Sequence, residues 1–142
     1  MNKMTEKDCP FCKMVRHELN CVLLQEDKDV TVIMDLFPAT KGHMLILPKR
    51  HIETVYDMPA ALGGRIMATA ITLANAVKLK LSPDGLNLIQ SNETAAGQTI
   101  PHFHLHIVPR YNDDAVVLNF GHGSKVENIT ELEKIASLLR SG

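Results

Sequence analysis

The sequence predicts an α+β domain: an antiparallel sheet of about five strands around one long helix, with a second helix at the C-terminus. Three observations carry this expectation. Short β-type stretches come in pairs instead of alternating with helices, one central segment switches to a period of three to four, and 142 residues is the size of a single domain able to bury a stable core without disulfides. No internal repeat, low-complexity tract or interdomain linker divides residues 1–142, so one domain is expected throughout.

In chain order, an N-terminal arm ending in Asp8-Cys9-Pro10-Phe11-Cys12 leads into two β-type stretches, Cys21 to Leu24 and Val30 to Met34. The charged turn Glu26-Asp27-Lys28-Asp29 between them makes a hairpin. A loop from Asp35 to Gly42 feeds a third strand, His43 to Leu47, which Pro48-Lys49-Arg50-His51 ends. From Met58 onward Leu62, Ile66, Ala70, Leu73, Val77 and Leu81 recur at steps of three and four, the mark of a helix with one buried face. Ser82-Pro83-Asp84-Gly85 stops it. Strands follow at Leu86 to Gln90 and His102 to Val108, joined by a polar loop from Ser91 to Ile100, and Ile129 to Leu139 reads as the second helix.

Lys plus Arg number 15 and Asp plus Glu 16, a formal net charge of −1, so no basic field is available to hold a nucleic-acid backbone. No nucleic-acid partner is expected, and an anionic ligand must be met by a local site. The segment Met1 to Asp8 is polar with no apolar signal region, and no run approaches the roughly 20 apolar residues of a membrane span. A cytoplasmic protein without a membrane partner is the expectation. Three cysteines are too few for a disulfide framework, and Cys9-x-x-Cys12 in a reducing compartment suggests metal or redox chemistry. Cys21 reads as a core residue, and His17 and His122 as exposed residues without a role.

The unusual feature is the run His102-Phe103-His104-Leu105-His106. On a strand the three histidines project to one face, spaced about 6 to 7 Å apart, while Phe103, Leu105 and Ile107 turn into the core. Such a face is open to three readings: a polar surface rich in histidine, a catalytic metal held by three imidazoles, or a site of nucleophilic catalysis.

The stretch Gly97-Gln98-Thr99-Ile100-Pro101-His102-Phe103-His104-Leu105-His106-Ile107-Val108-Pro109-Arg110 resembles the signature of the histidine triad (HIT) family. Gly42-His43-Met44-Leu45-Ile46-Leu47-Pro48-Lys49-Arg50-His51 is similar to that family's second conserved block, and Asp35 stands eight residues before His43 as in its ribose-binding strand. With Cys9-x-x-Cys12 the similarity covers most of residues 9 to 110, whereas the last 30 or so residues carry little of it. The resemblance implies a HIT-type fold and, as in the family generally, a homodimer. It implies a nucleotidyl hydrolase or transferase acting on purine nucleoside phosphoramidates, with dinucleoside polyphosphate hydrolysis as the alternative. A nucleotide-binding or protein-interaction module with little turnover is the reading from another class.

By the same resemblance His104 attacks the α-phosphate to form a nucleotidyl-histidine that water hydrolyses. An imidazole largely neutral near pH 7 suits that task. His106 contacts the phosphate and helps the leaving group, and His43 supports it from the neighbouring strand. Gln98 and Thr99 map onto positions touching the phosphate or leaving group, where amide and hydroxyl donors stabilise developing charge. Asp35 maps onto the ribose contact. Ser91-Asn92-Glu93 departs from the Asn-Asn-Gly of many bacterial members, and Ser91 stands where Asn or Gln usually reaches the phosphates.

Cys9 and Cys12 supply half of a tetrahedral site, with a redox pair or two inert thiols as rivals. A thioredoxin-like pair would need a βαβ surround that the sequence lacks. In zinc-containing bacterial-type members the remaining ligands are the histidine closing the Pro-x-x-His block and the first of the triad, here His51 and His102. The resemblance thus implies a structural zinc ion, with no cofactor needed for the chemistry. If His102 serves that site, it cannot be one leg of a three-histidine catalytic centre.

Overall fold

A computed structural model describes residues 4–118, 120 and 128–141. Five antiparallel strands, β1 (Val22–Glu26), β2 (Val30–Met34), β3 (Met44–Pro48), β4 (Gly85–Gln90) and β5 (Leu105–Arg110), form one sheet in the order β1-β2-β3-β5-β4. Helix α1 (Pro10–Val15) lies against one face, α2 (Ala60–Leu81) packs on the other, and α3 (Ile129–Arg140) follows near the C-terminus. The α+β class and five-stranded sheet are as the sequence predicts.

Alternation along β2 and β3 divides the core in two. Val30, Val32, Met44 and Ile46 face α2, where they meet Ile66, Ala70, Leu73 and Val77, the stripe read from the period of three to four; Leu62 and Leu81 pack at its ends, partly buried. Ile33, Leu45 and Leu47 point the opposite way, onto Cys9, Phe11 and Cys12. Phe103 and Ile107 join the α2 side. His106, opposite Leu45 in the β3–β5 register, therefore stands on the α1 side, and the candidate site is built on that face.

The hairpin turn is tied by Asp27, whose Oδ1 accepts the N–H groups of Asp29 and Val30, each at 2.8 Å. Gly42 precedes β3 at φ +92, a conformation that favours glycine, and a Cβ there would sit 2.6 Å from Leu81 Cδ1, so the end of that side chain would have to shift. Helix α2 ends on Ser82 in the left-handed region, followed by Pro83, as the stop signal predicts. By length and composition α2 is apolar enough to cross a membrane, which corrects the expectation that no run is; its inner stripe is packed against the sheet.

Other expectations are corrected. Residues 10–15, read only as an arm, form a short helix with Pro10 at its first turn, and the Cys9 sulfur accepts the Cys12 N–H at 3.4 Å as its cap. Strand β5 begins at Leu105 instead of His102, because the Phe103 N–H donates to the Ile52 carbonyl at 2.6 Å and the His102 N–H to Ile100 at 2.8 Å, so neither enters the β-ladder. Cys21, read as core, is half-buried at the edge of the α1-side cluster. His17 is exposed, with Nε2 3.4 Å from Glu26 Oε1, and His122 lies outside the described residues.

Candidate active site and metal centre

Four residues distant in sequence converge where α1 meets the sheet. His102 Nδ1 lies 3.4 Å from the sulfurs of both Cys9 and Cys12, and His51 Nδ1 lies 3.2 Å from Cys12 Sγ. All four ligand atoms fall within 4.8 Å of one another. Tetrahedral zinc with sulfur at about 2.3 Å and nitrogen at about 2.0 Å needs ligand atoms about 3.3–3.8 Å apart, close to the spacing found. The His102 Nε2–H donates to the Pro48 carbonyl at 2.9 Å, fixing the tautomer that turns the Nδ1 lone pair toward the thiols. His51 Nε2 is buried without a hydrogen bond and faces Glu53 Oε1 at 4.0 Å. Burial first, and then the Cys9 thiol beside it, push the Cys12 thiol up to about 12. A divalent cation is what would draw protons from such a buried pair. The donor set, geometry and tautomer all fit a metal ion.

The same strand leads from this cluster to a cleft. Its cavity of about 270 Å³ is walled by Phe11, Met14, Ile33, Leu36, Phe37 and Leu45, with Asp35, Thr99, His104 and His106 as the polar groups on its margin. His104 is 6% exposed, and its ring meets the edge of Phe11 with centroids 5.0 Å apart.

Hydrogen bonds give the two cleft imidazoles opposite polarity. The His104 Nδ1–H donates to the His102 carbonyl at 2.8 Å, which leaves the Nε2 lone pair for the cleft. A different chain reaches His106. The Ala39 N–H donates to His43 Nδ1 at 3.0 Å, so a neutral His43 carries its proton on Nε2, which donates to His106 Nδ1 at 2.9 Å. The His106 proton must then sit on Nε2. One ring thus offers a lone pair and the other an N–H, with centroids 4.9 Å apart.

Burial holds these rings neutral: chiefly by that cause His106 is pushed down to about 4, and His104 and His43 are also lowered, with the Asp35 carboxylate opposing in each case. Asp35 accepts the Phe37 N–H through Oδ1 at 2.8 Å, and its Oδ2 lies 3.3 Å from His43 Nε2.

Residues 16–113 match the HIT domain. The chain belongs to the HIT family. It is 35% identical over 136 residues to adenylylsulfatase HINT3 of Arabidopsis thaliana, covering 96% of this chain and 68% of that one. It is 32% identical over 106 residues to adenosine 5'-monophosphoramidase hnt1 of Schizosaccharomyces pombe, covering 75% and 77%. The crystal structure of SMU.412c from Streptococcus mutans superposes with a TM-score of 0.89 at 34% identity, covering 98% of this chain and 86% of that chain. A Zn-bound histidine triad family protein from Mycobacterium smegmatis gives 0.74 at 28% identity, covering 97% and 100%.

Within this HIT domain the histidine run splits by position. His102 turns into the Cys cluster, while His104 and His106 line the cleft with Asp35 and Thr99. Gln98 lines the second cavity beside Thr99, where its Oε1 accepts the Glu93 N–H at 2.7 Å and its Nε2 donates to the Glu53 carbonyl at 2.7 Å, so its amide braces the loop. Ser91 lines neither this cleft nor the cavity beside it. Its neighbour Asn92 ties the loop to the 55–57 turn by accepting the Val55 N–H at 2.7 Å. Sequence reasoning missed Phe11, Met14 and the apolar walls, whose signal was Phe11 set between the two cysteines.

Proposed function

We propose that this chain is a nucleotidyl hydrolase or transferase cleaving at the α-phosphate of purine nucleoside phosphoramidates through a covalent nucleotidyl-histidine at His104. Family membership and the named activities of its relatives support the coarser statement that it is a nucleotide hydrolase. The observation that carries the finer one is the opposed polarity of the two cleft imidazoles. The His104 Nε2 lone pair attacks phosphorus and the P–N bond breaks as the departing nitrogen takes the proton from His106 Nε2, while the His43 Nε2–H shifts to His106 Nδ1; the proton that the attacking water later gives up returns to this pair. Water then cleaves the phosphorus–histidine bond, releasing the nucleotide and freeing His104. The Thr99 hydroxyl on the cleft margin suits a donor to the phosphate or leaving group, the apolar walls suit a nucleobase, and the Asp35 carboxylate suits ribose hydroxyls.

The test is incubation with an adenosine phosphoramidate, adenylyl sulfate and diadenosine polyphosphates, trapping the adduct by mass spectrometry in wild type and His104→Ala. A nucleotidyl adduct absent from His104→Ala is expected. Nucleotide binding without an adduct supports the binding-module reading, and a mutant with full activity removes His104 from the mechanism.

Cys9, Cys12, His51 and His102 are proposed to hold a structural zinc ion, a reading supported by the donor geometry and by the Zn-bound relative. The ion would clamp α1, and with it Phe11, to the sheet behind the nucleophile. A homodimer is also proposed; β4 is a sheet edge, and Leu88 on it is exposed, as are Met67 and Ile71 on α2. Light scattering that gives the monomer mass at micromolar concentration would refute it.

A further inference from the structure

Beyond Thr99 the loop that borders the cleft opens on its other side into a second cavity of about 560 Å³, roughly twice the volume of the cleft. Thr99 lines both. With a nucleoside among Phe11, Ile33 and Leu45 and phosphorus at His104, a leaving group that passes Thr99 enters this second space.

The charge of that space is one-sided. Glu53, Asp57 and Glu93 are among the residues that line it, and among the described residues none of the lining ones is Lys, Arg or His. In a chain whose formal net charge is only −1, this is a local bias. Glu53 Oε1 lies 4.0 Å from His51 Nε2; Asp57 and Glu93 are the other acidic residues of the lining.

Glu93 is also held in a conformation that suits another residue. At φ +70 and ψ 163 it occupies a region nearly reserved for glycine, fixed there by Gln98, whose Oε1 accepts its N–H at 2.7 Å and whose N–H donates to its carbonyl at 3.1 Å. A glycine would satisfy the same backbone bonds without strain. What glutamate adds is a carboxylate on the wall next to Thr99.

We propose that this cavity is the leaving-group subsite and that Glu93 and Asp57 make it specific for amines carrying a second, positively charged group. The proposal rests on the phosphoramidase reading above. It assigns substrate choice to the leaving group, with the nucleoside cleft common to all substrates.

The experiment uses three adenosine 5'-phosphoramidates of matched length, whose leaving amines are 1,3-diaminopropane, n-butylamine and β-alanine, with distal ammonium, methyl and carboxylate groups. At low ionic strength kcat/KM is expected to fall by about fivefold at each step from ammonium to methyl to carboxylate, and the spread to shrink in high salt. Glu93→Gln and Asp57→Asn, on separate segments, are each expected to bring the ammonium-to-methyl ratio toward one. Because the readout is the change in that ratio between variant and wild type, differences in amine basicity and in overall activity cancel. Glu93→Gly is expected to do the same while raising Tm, which separates loss of charge from loss of fold.

Equal turnover of all three conjugates by wild type, or a ratio unchanged in the double variant Glu93→Gln/Asp57→Asn, overturns the subsite and leaves the hydrolase reading standing. Turnover of none of the three overturns both.

Discussion

Acid is the perturbation that separates neutral-imidazole chemistry from its alternatives, since burial lowers the pKa of every histidine facing the cleft. An imidazole at the ordinary value near 6.5 is about nine-tenths protonated at pH 5.5, so an unshifted nucleophile would lose about tenfold in kcat/KM between pH 7.5 and 5.5. Burial moves His104 below that value. The acidic limb of kcat/KM is therefore expected below pH 6.5, with distinctly more than one-tenth of the activity kept at pH 5.5.

Stability follows from the same shift with a definite sign. Between pH 6.5 and 4 the unfolded chain binds a proton at His106 that the folded chain refuses, so stability that is intact above pH 6.5 falls as the pH drops toward 4. At about 1.4 kcal/mol per unit the shift from 6.5 to about 4 sets an upper bound of about 3 kcal/mol; solvent screening of the partly buried ring reduces the full loss to about 1–2 kcal/mol, of which under about 1 kcal/mol has gone by pH 5.5. The assay pairs kcat/KM on an adenosine phosphoramidate from pH 4.5 to 8, at constant ionic strength, with the urea midpoint at each pH. An acidic limb at or above pH 6.5 with a urea midpoint flat down to pH 5.5 would refute the burial argument and, with it, the neutral nucleophile.

Replacing Thr99 by Val keeps the shape of the cleft margin and removes the hydroxyl; kcat/KM is expected to drop by about 10- to 100-fold, whereas a drop under threefold in a steady-state assay would exclude a donor role. Metal analysis of wild type is expected to return about one zinc per chain, and Cys12→Ser to lose it together with at least about 3 kcal/mol of stability, or about 6–12 °C in Tm; wild type purified without metal would sink the zinc assignment. Among the glycines, Gly42→Ala combines a left-handed φ with a 2.6 Å contact and should cost about 2–4 kcal/mol, Gly97→Ala has the φ of +91 without a contact and should cost about 1, and Gly64→Ala, inside α2 with open space, should stabilise by up to about 1. Urea titrations that place the three variants in another order would contradict the packing described around β3.

Elements defined by neighbours in sequence were legible, and those defined by distant partners were not. Strand β2 was read with the bounds it has, because a charged turn and a short apolar β-type run fix it locally, and the α2 stripe followed from its period. The start of β5 was misplaced because what removes residues 102–104 from the ladder is the Ile52 carbonyl and the Cys pair, some 50 and 90 positions away. Helix α1 was missed because six residues give no period and its cap is a cysteine sulfur. Gln98 was assigned by its place in a motif, yet its amide is committed to Glu93 and to the Glu53 carbonyl, which the motif does not record. Asp35, Thr99, His104 and His106, which line one cleft, sit on strand ends and loop margins where side-chain direction follows from position alone.

The spacing of the histidines has a reason that neither a strand face nor a ligand list supplies. His102 acts through three groups at once: Nδ1 points to the thiols, Nε2–H to the Pro48 carbonyl, and its own carbonyl receives the Nδ1–H of His104. A histidine two positions on is the one whose ring can return to that carbonyl while its other nitrogen looks into the cleft. Another two positions bring His106 onto the same face and into the ladder opposite Leu45, within reach of His43 on the segment entering β3. His104, the proposed nucleophile, is therefore oriented by backbone, and His106 beside it by a neighbouring strand. Loss of the His102 ring leaves the carbonyl in the chain but removes what fixes its position, so the Cys–His cluster would bear on the proposed chemistry through the placement of one peptide oxygen.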